Sequence, residues 1–176
     1  MVSLKRTALH KTIGVYGYIL AVLMFFSAIA LTIEKNRIRF DSGHPEEIRF
    51  MIVPFMVITR FFSLITVAVI FRKTSAIHRR LLLLAIIELM AAPLARIIGP
   101  IIGSMVPARI LGFMLEIYGA EYALILVAMG YDLVTRGKVH RIYWVAVPLL
   151  ISAHFLMSVI YNHSYWLTIS KLIIGR

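Results

Sequence analysis

The chain has 176 residues, 61% apolar and 15% charged, with mean hydropathy +0.90, and a soluble domain of that length has nowhere to bury so much apolar surface. The formal charge of +11 lies mainly between apolar runs, where it fits membrane orientation and lipid phosphate, so nucleic acid is not an expected partner. Cysteine is absent, which excludes disulfides and thiolate metal sites.

A spanning helix needs about 20 mostly apolar residues, and five segments meet that need. The first, 13–33, follows "KRTALHK" and contains "SAIA". A charged start, an apolar run and small residues imitate a cleaved signal peptide. The run is long for one, so a retained span is expected. The second, 50–71, has Pro54 near its start and carries Arg60 in its middle. The third, 80–102, holds Glu88 and Arg96, and the fourth, 110–134, holds Glu116 and Glu121. The fifth, 142–161, holds His154. "KNRIRFDSGHPEE", "RKTSAIHR", "GSMVPAR" and "TRGKVHR" read as connectors. The tail, 164–175, is too short to span and reads as an interfacial helix anchored by Trp166 and Lys171. The expected fold is an all-α integral membrane bundle of about five transmembrane helices, one domain over residues 1–176.

Basic residues orient such a bundle. With the N-terminus cytoplasmic, ten lie inside: Lys5, Arg6, Lys11, Arg72, Lys73, Arg79, Arg80, Arg136, Lys138 and Arg141. Seven lie outside: Lys35, Arg37, Arg39, Arg49, Arg109, Lys171 and Arg176. The bias favours a cytoplasmic N-terminus and an external C-terminus.

Five charges lie well inside the spans, away from their ends: Arg60, Glu88, Arg96, Glu116 and Glu121. A lone ion in hydrocarbon is costly, so partners at matching depth are expected. At about 1.5 Å per residue, Arg60, Glu88 and Glu121 fall near the midplane, and His154 reaches a similar depth. Arg60 is expected to pair with Glu121, Glu88 or both. Arg96 and Glu116 fall together in the outer half and read as a second pair. One carboxylate is then in surplus beside the histidine, and burial, which raises a carboxyl pKa, is expected to keep it protonated. These charges either fix helix register or form a site for a small ligand, lipid or proton; burial against a partner subunit or a second copy is the other alternative.

His10, His78 and His140 each precede a span beside a cation, in "LHKTIG", "IHRRLLLLA" and "VHRIYW". With Arg79, Arg80 and Arg136 they read as contacts to anionic lipid headgroups. The alternative is a metal, or a haem b held by His78 with His140 or His10. His154 lies fourteen residues beyond His140, on the same helix face, but no second histidine matches its depth, so a two-haem arrangement fails. No metalloprotease, P-loop or nucleophile-elbow motif occurs, so the expected protein is non-enzymatic and needs no cofactor.

The stretches "VPFMVITRFFSLITVAVIFRKTSAIHRRLLLLAIIELMAAPLARI" and "GYDLVTRGKVHRIYW" resemble a family of uncharacterised bacterial multi-pass inner-membrane proteins. "ALHKTIGVYGY" is similar to that family's N-terminal His segment. The resemblance covers most of residues 9 to 145. It falls on Pro54, His78, Arg79, Arg80, Leu81, Arg96, Tyr131, Asp132, Arg136, Gly137 and His140, and more loosely on His10. Arg60 and Glu88 stand where the family pattern is aliphatic. What the resemblance implies is a helical membrane fold in a bacterial inner membrane, and no activity.

Overall fold

The computed structural model describes residues 4–105 and 109–176, and side chains from Leu9 onward except those of 109–111 and 113. Lys5, Arg6 and Arg109, which enter the orientation count, therefore have side chains outside the described residues. The chain folds into six α-helices with no strand among the described residues. They are α1 (Leu4–Asp41), α2 (Ile52–Ile70), α3 (Ser75–Met105), α4 (Arg109–Arg136), α5 (Arg141–Asn162) and α6 (Ser164–Ile174), with a 3₁₀ turn at Pro45–Met51 before α2. Five of the helices are long and apolar enough to cross a membrane.

The helices outrun the apolar stretches that announce them. α1 continues through "KNRIRFD", which the sequence reads as connector, and its 38 residues span about 57 Å. α3 likewise absorbs Ser75 to Arg79 and Gly103 to Met105. Hydropathy marks the thickness of the hydrocarbon, whereas the helix itself ends at its capping residues. α4 stops at Gly137, whose φ of +69° is the left-handed conformation that closes a helix, with its N–H bonded to Leu133 O at 2.9 Å.

α2, α3, α4 and α5 form the packed bundle, and α1 leans on α2 and the 3₁₀ turn. Only 6% of the apolar stretch of α1 is buried, against about a third in the other spans, so α1 is peripheral. α3 and α4 approach closely because Gly99 and Gly103 leave room for Glu116; a Cβ at Gly99 would stand 2.7 Å from the Glu116 carbonyl oxygen. This small-xxx-small spacing lets two membrane helices gain dispersion contacts that lipid cannot outbid.

Two apolar cores stack along the bundle. One holds Phe61, Leu64, Leu84, Ile125, Tyr143 and Leu150. The other holds Ile48, Met51, Ala91, Tyr118, Met157 and Trp166, at the end where α1 finishes, here termed the Asp41 end. α6 folds back over that end. The Trp166 indole N–H donates to Arg49 O at 2.8 Å, Arg37 Nε donates to Ile174 O at 3.1 Å, and Arg176 meets Asp41 through two bonds of 2.9 and 2.6 Å. The opposite end, where α3 begins, is termed the His78 end.

Candidate functional site

The seam between the two cores is polar. On α3, Glu88 lies between Ile87 of one core and Ala91 of the other; on α4, Glu121 lies between Tyr118 and Ile125; on α5, His154 lies between Leu150 and Met157. Arg60 of α2 completes the set. It is 7% exposed, and Glu88, Glu121 and His154 are wholly buried. Burial of four ionisable groups in a bundle this small demands mutual compensation.

The compensation is partial. Arg60 Nε donates to Glu88 Oε2 at 2.9 Å, which selects Glu88 from the two partners open in the sequence. His154 Nε2 stands 3.7 Å from Glu88 Oε1 and 3.8 Å from Glu121 Oε1, equidistant between the carboxylates. Behind the ring, the Tyr122 hydroxyl lies 2.9 Å from His154 Nδ1. With Tyr122 donating to Nδ1, the neutral imidazole carries its proton on Nε2, aimed at both acids. Tyr118 stacks on the imidazole at 3.8 Å between centroids and 16° between planes, and the Arg60 guanidinium carbon lies 5.3 Å from the same Tyr118 ring centroid. The tyrosine thus fixes both neighbours by stacking and cation–π contact.

Charge is left over. Arg60 supplies one positive charge against the two carboxylates, and the imidazole is flanked by both. Neither Glu121 oxygen, nor Glu88 Oε1, nor His154 Nε2 has a hydrogen-bond partner, and all are buried. Glu88, Glu121 and His154 each offer an atom within 4.8 Å of the others, the one such three-ligand group among the described residues. A single added positive charge neutralises this group. A divalent ion leaves one uncompensated positive charge in low dielectric, which costs several kcal/mol. The balance favours a single positive charge, a proton or a monovalent cation, over a divalent ion.

The sequence reading places Arg96 and Glu116 in a second ion pair, and that pair does not form. Both are exposed, line one lateral groove, and make no ion pair with each other. They sit at the groove's mouth, where lipid headgroups or water can replace a partner.

At the His78 end, Arg80 also departs from the headgroup role expected of it. It is 5% exposed and grips Asp132 with two bonds of 2.6 Å, while a third reaches Ala76 O at 2.7 Å. Arg136 approaches the same aspartate at 3.6 Å and, like Arg79, is exposed. The bidentate geometry of Arg80 and Asp132 ties α3 to α4. The histidines do not converge as a threesome. His10 and His78 meet edge to face at 6.4 Å between centroids, and His78 Nδ1 lies 2.7 Å from Ala68 O. His140 instead caps α5, its Nδ1 accepting from Ile142 N–H at 3.2 Å.

That cap requires a neutral ring. The His140 pKa is held below the ordinary 6.5, first by burial and then by the nearby Arg80 charge. The folded state therefore binds fewer protons than the unfolded chain as pH falls through 6.5, and stability declines in that range. His140→Asn keeps a capping acceptor without titrating. The slope of melting temperature against pH between about 5 and 7 is expected to flatten in that variant; an unchanged slope would assign the titration elsewhere.

No family model, curated protein or solved structure matches this chain. The functional reading accordingly rests on the geometry of the seam.

Proposed function

We propose that this is a non-enzymatic multi-pass membrane protein that binds and exchanges one proton at the Arg60–Glu88–Glu121–His154 cluster within the bilayer. One observation carries the reading: a wholly buried carboxylate, Glu121, has no hydrogen-bond partner on either oxygen and faces an imidazole nitrogen that also lacks one. Intramembrane ionisable groups facing a bundle interior mark ion and proton paths. The Nε2–H faces both acids, so the imidazole can turn its hydrogen bond to whichever carboxylate is ionised while the other holds the proton, without a charged group leaving the seam.

The basic residues favour a bacterial inner-membrane orientation with the N-terminus cytoplasmic; a reporter fused after Arg176 is then expected to read external. The proton count is the direct functional test. A pH jump on the solubilised protein, followed with an indicator dye, is expected to show uptake of about one proton per chain that Glu121→Gln removes, since charge neutrality at the seam asks for one. Equal uptake in wild type and variant would place the exchange on surface groups.

A second reading rests on His10 and His78. The two rings lie 6.4 Å apart, and with His78 Nδ1 engaged by Ala68 O at 2.7 Å, Nε2 is the His78 nitrogen that would ligate a haem iron. His140 is committed to its cap, so this reading uses His10 as the second ligand. Split reduced absorbance bands in the purified protein would decide for haem b, and their loss in His78→Gln would locate it.

A further inference from the structure

A groove of about 600 Å³ opens laterally on the Asp41 half of the bundle, between α1, α2, α3 and α4. Its wall is small and apolar, built from Ala28, Val57, Ile58, Ala91, Ala92 and Ala95. Its mouth is cationic: Lys35, Arg39 and Arg96 line it, against one acid, Glu116. Glu47 holds Arg39 at 2.9 Å, whereas Lys35 and Arg96 make no ion pair among the described residues.

The polarity runs in one direction. On α1, Arg39 and Lys35 stand above Ala28 by seven to eleven residues, or about 10–16 Å along the helix. Charge thus sits at the headgroup level and an apolar trough descends toward the bundle's middle. Four alanines line that trough, which leaves width for an unbranched chain. A water-soluble anion would use the mouth and ignore the trough. A zwitterionic lipid would fill the trough but bring no net charge to Lys35 and Arg96. Glu116 opposes a second negative charge, so a monoanionic phosphodiester fits the mouth better than a phosphomonoester.

We propose that this groove binds an anionic phospholipid, its phosphate between Lys35 and Arg96 and one acyl chain along the alanine wall. The volume lies within the range of built ligand sites. The site uses none of the residues of the proton cluster.

The test measures melting temperature of the detergent-solubilised protein against added phosphatidylglycerol, phosphatidylcholine of the same chains, and glycerol phosphate. Phosphatidylglycerol is expected to stabilise saturably, phosphatidylcholine to need at least about fivefold more, and glycerol phosphate to do nothing. Lys35→Gln and Arg96→Gln should each raise the half-saturating concentration about fivefold, the value of one surface cation, with Arg96→Lys recovering most of the loss. Ala95→Phe fills the trough without touching charge and should abolish the response; Ala92→Leu, on the exposed wall, repeats that test if Ala95→Phe folds poorly. Equal response to the two lipids, or indifference to the charge variants, overturns the proposal in favour of plain apolar contact. Stabilisation by glycerol phosphate to the same degree overturns it in favour of a free-anion site.

Discussion

Arg60→Leu is expected to destabilise the solubilised protein by about 3–5 kcal/mol, the usual cost of breaking a buried ion pair from one side. The variant leaves Glu88 and Glu121 facing each other with no cation between them. Its deficit should shrink as pH falls, because the folded variant then takes up protons that the unfolded chain does not yet bind, and linkage turns that uptake into stability. Removing Glu88 as well, in Arg60→Leu with Glu88→Leu, should recover much of the loss at neutral pH. Chemical denaturation at two pH values reads both effects. A harmless Arg60→Leu would mean that the guanidinium is compensated by water or lipid rather than by Glu88.

The converse variant, Glu88→Leu with Glu121→Leu, should lose a comparable 3–5 kcal/mol by stranding Arg60. Here acid brings no relief, since a guanidinium does not give up its proton. Each single substitution is expected to be milder. Without Glu121, Arg60 keeps Glu88; without Glu88, Glu121 is the carboxylate left to compensate the guanidinium, since both acids approach the same His154 nitrogen. The contrast between an acid-relieved deficit and an acid-insensitive one separates the charge count from simple loss of packing. A double carboxylate variant as stable as either single one would contradict that count.

The sequence made the fold legible because its signal is thick: five apolar runs of bilayer length survive any error at their ends. Their ends were less legible. "KNRIRF" looks like a connector by hydropathy, yet nothing in it breaks a helix, and α1 carries it out beyond the apolar stretch to Asp41. Depth counting alone brought Arg60, Glu88, Glu121 and His154 to one level. Choosing Glu88 over Glu121 as partner needs the rotation of each helix about its axis, which a count of residues does not contain.

Tyr118 and Tyr122 were the missed members of the site. The signal was present in their spacing, three residues before Glu121 and one after it, with Tyr118 and Tyr122 four apart on one helical face. Aromatic residues are so common in spans that spacing alone does not single out this face. Asp132 was missed for another reason. It stands at the last turns of α4 among residues that belong to the headgroup layer, and only the fold shows that Arg80 reaches it from α3. For Arg96 and Glu116, equal depth suggested pairing, but both sit at the groove mouth, where solvation removes the need for a partner.

The central claim is that Glu88, Glu121 and His154 share one exchangeable proton. Infrared spectroscopy of the protein in lipid, in H₂O and then D₂O, tests it most directly. A protonated carboxyl stretch is expected at neutral pH, shifting on deuteration, and disappearing in Glu121→Gln as Arg60 and Glu88 become a self-sufficient pair. The absence of that band in the wild-type protein at neutral pH, or its persistence unchanged in both Glu121→Gln and Glu88→Gln, would contradict the account.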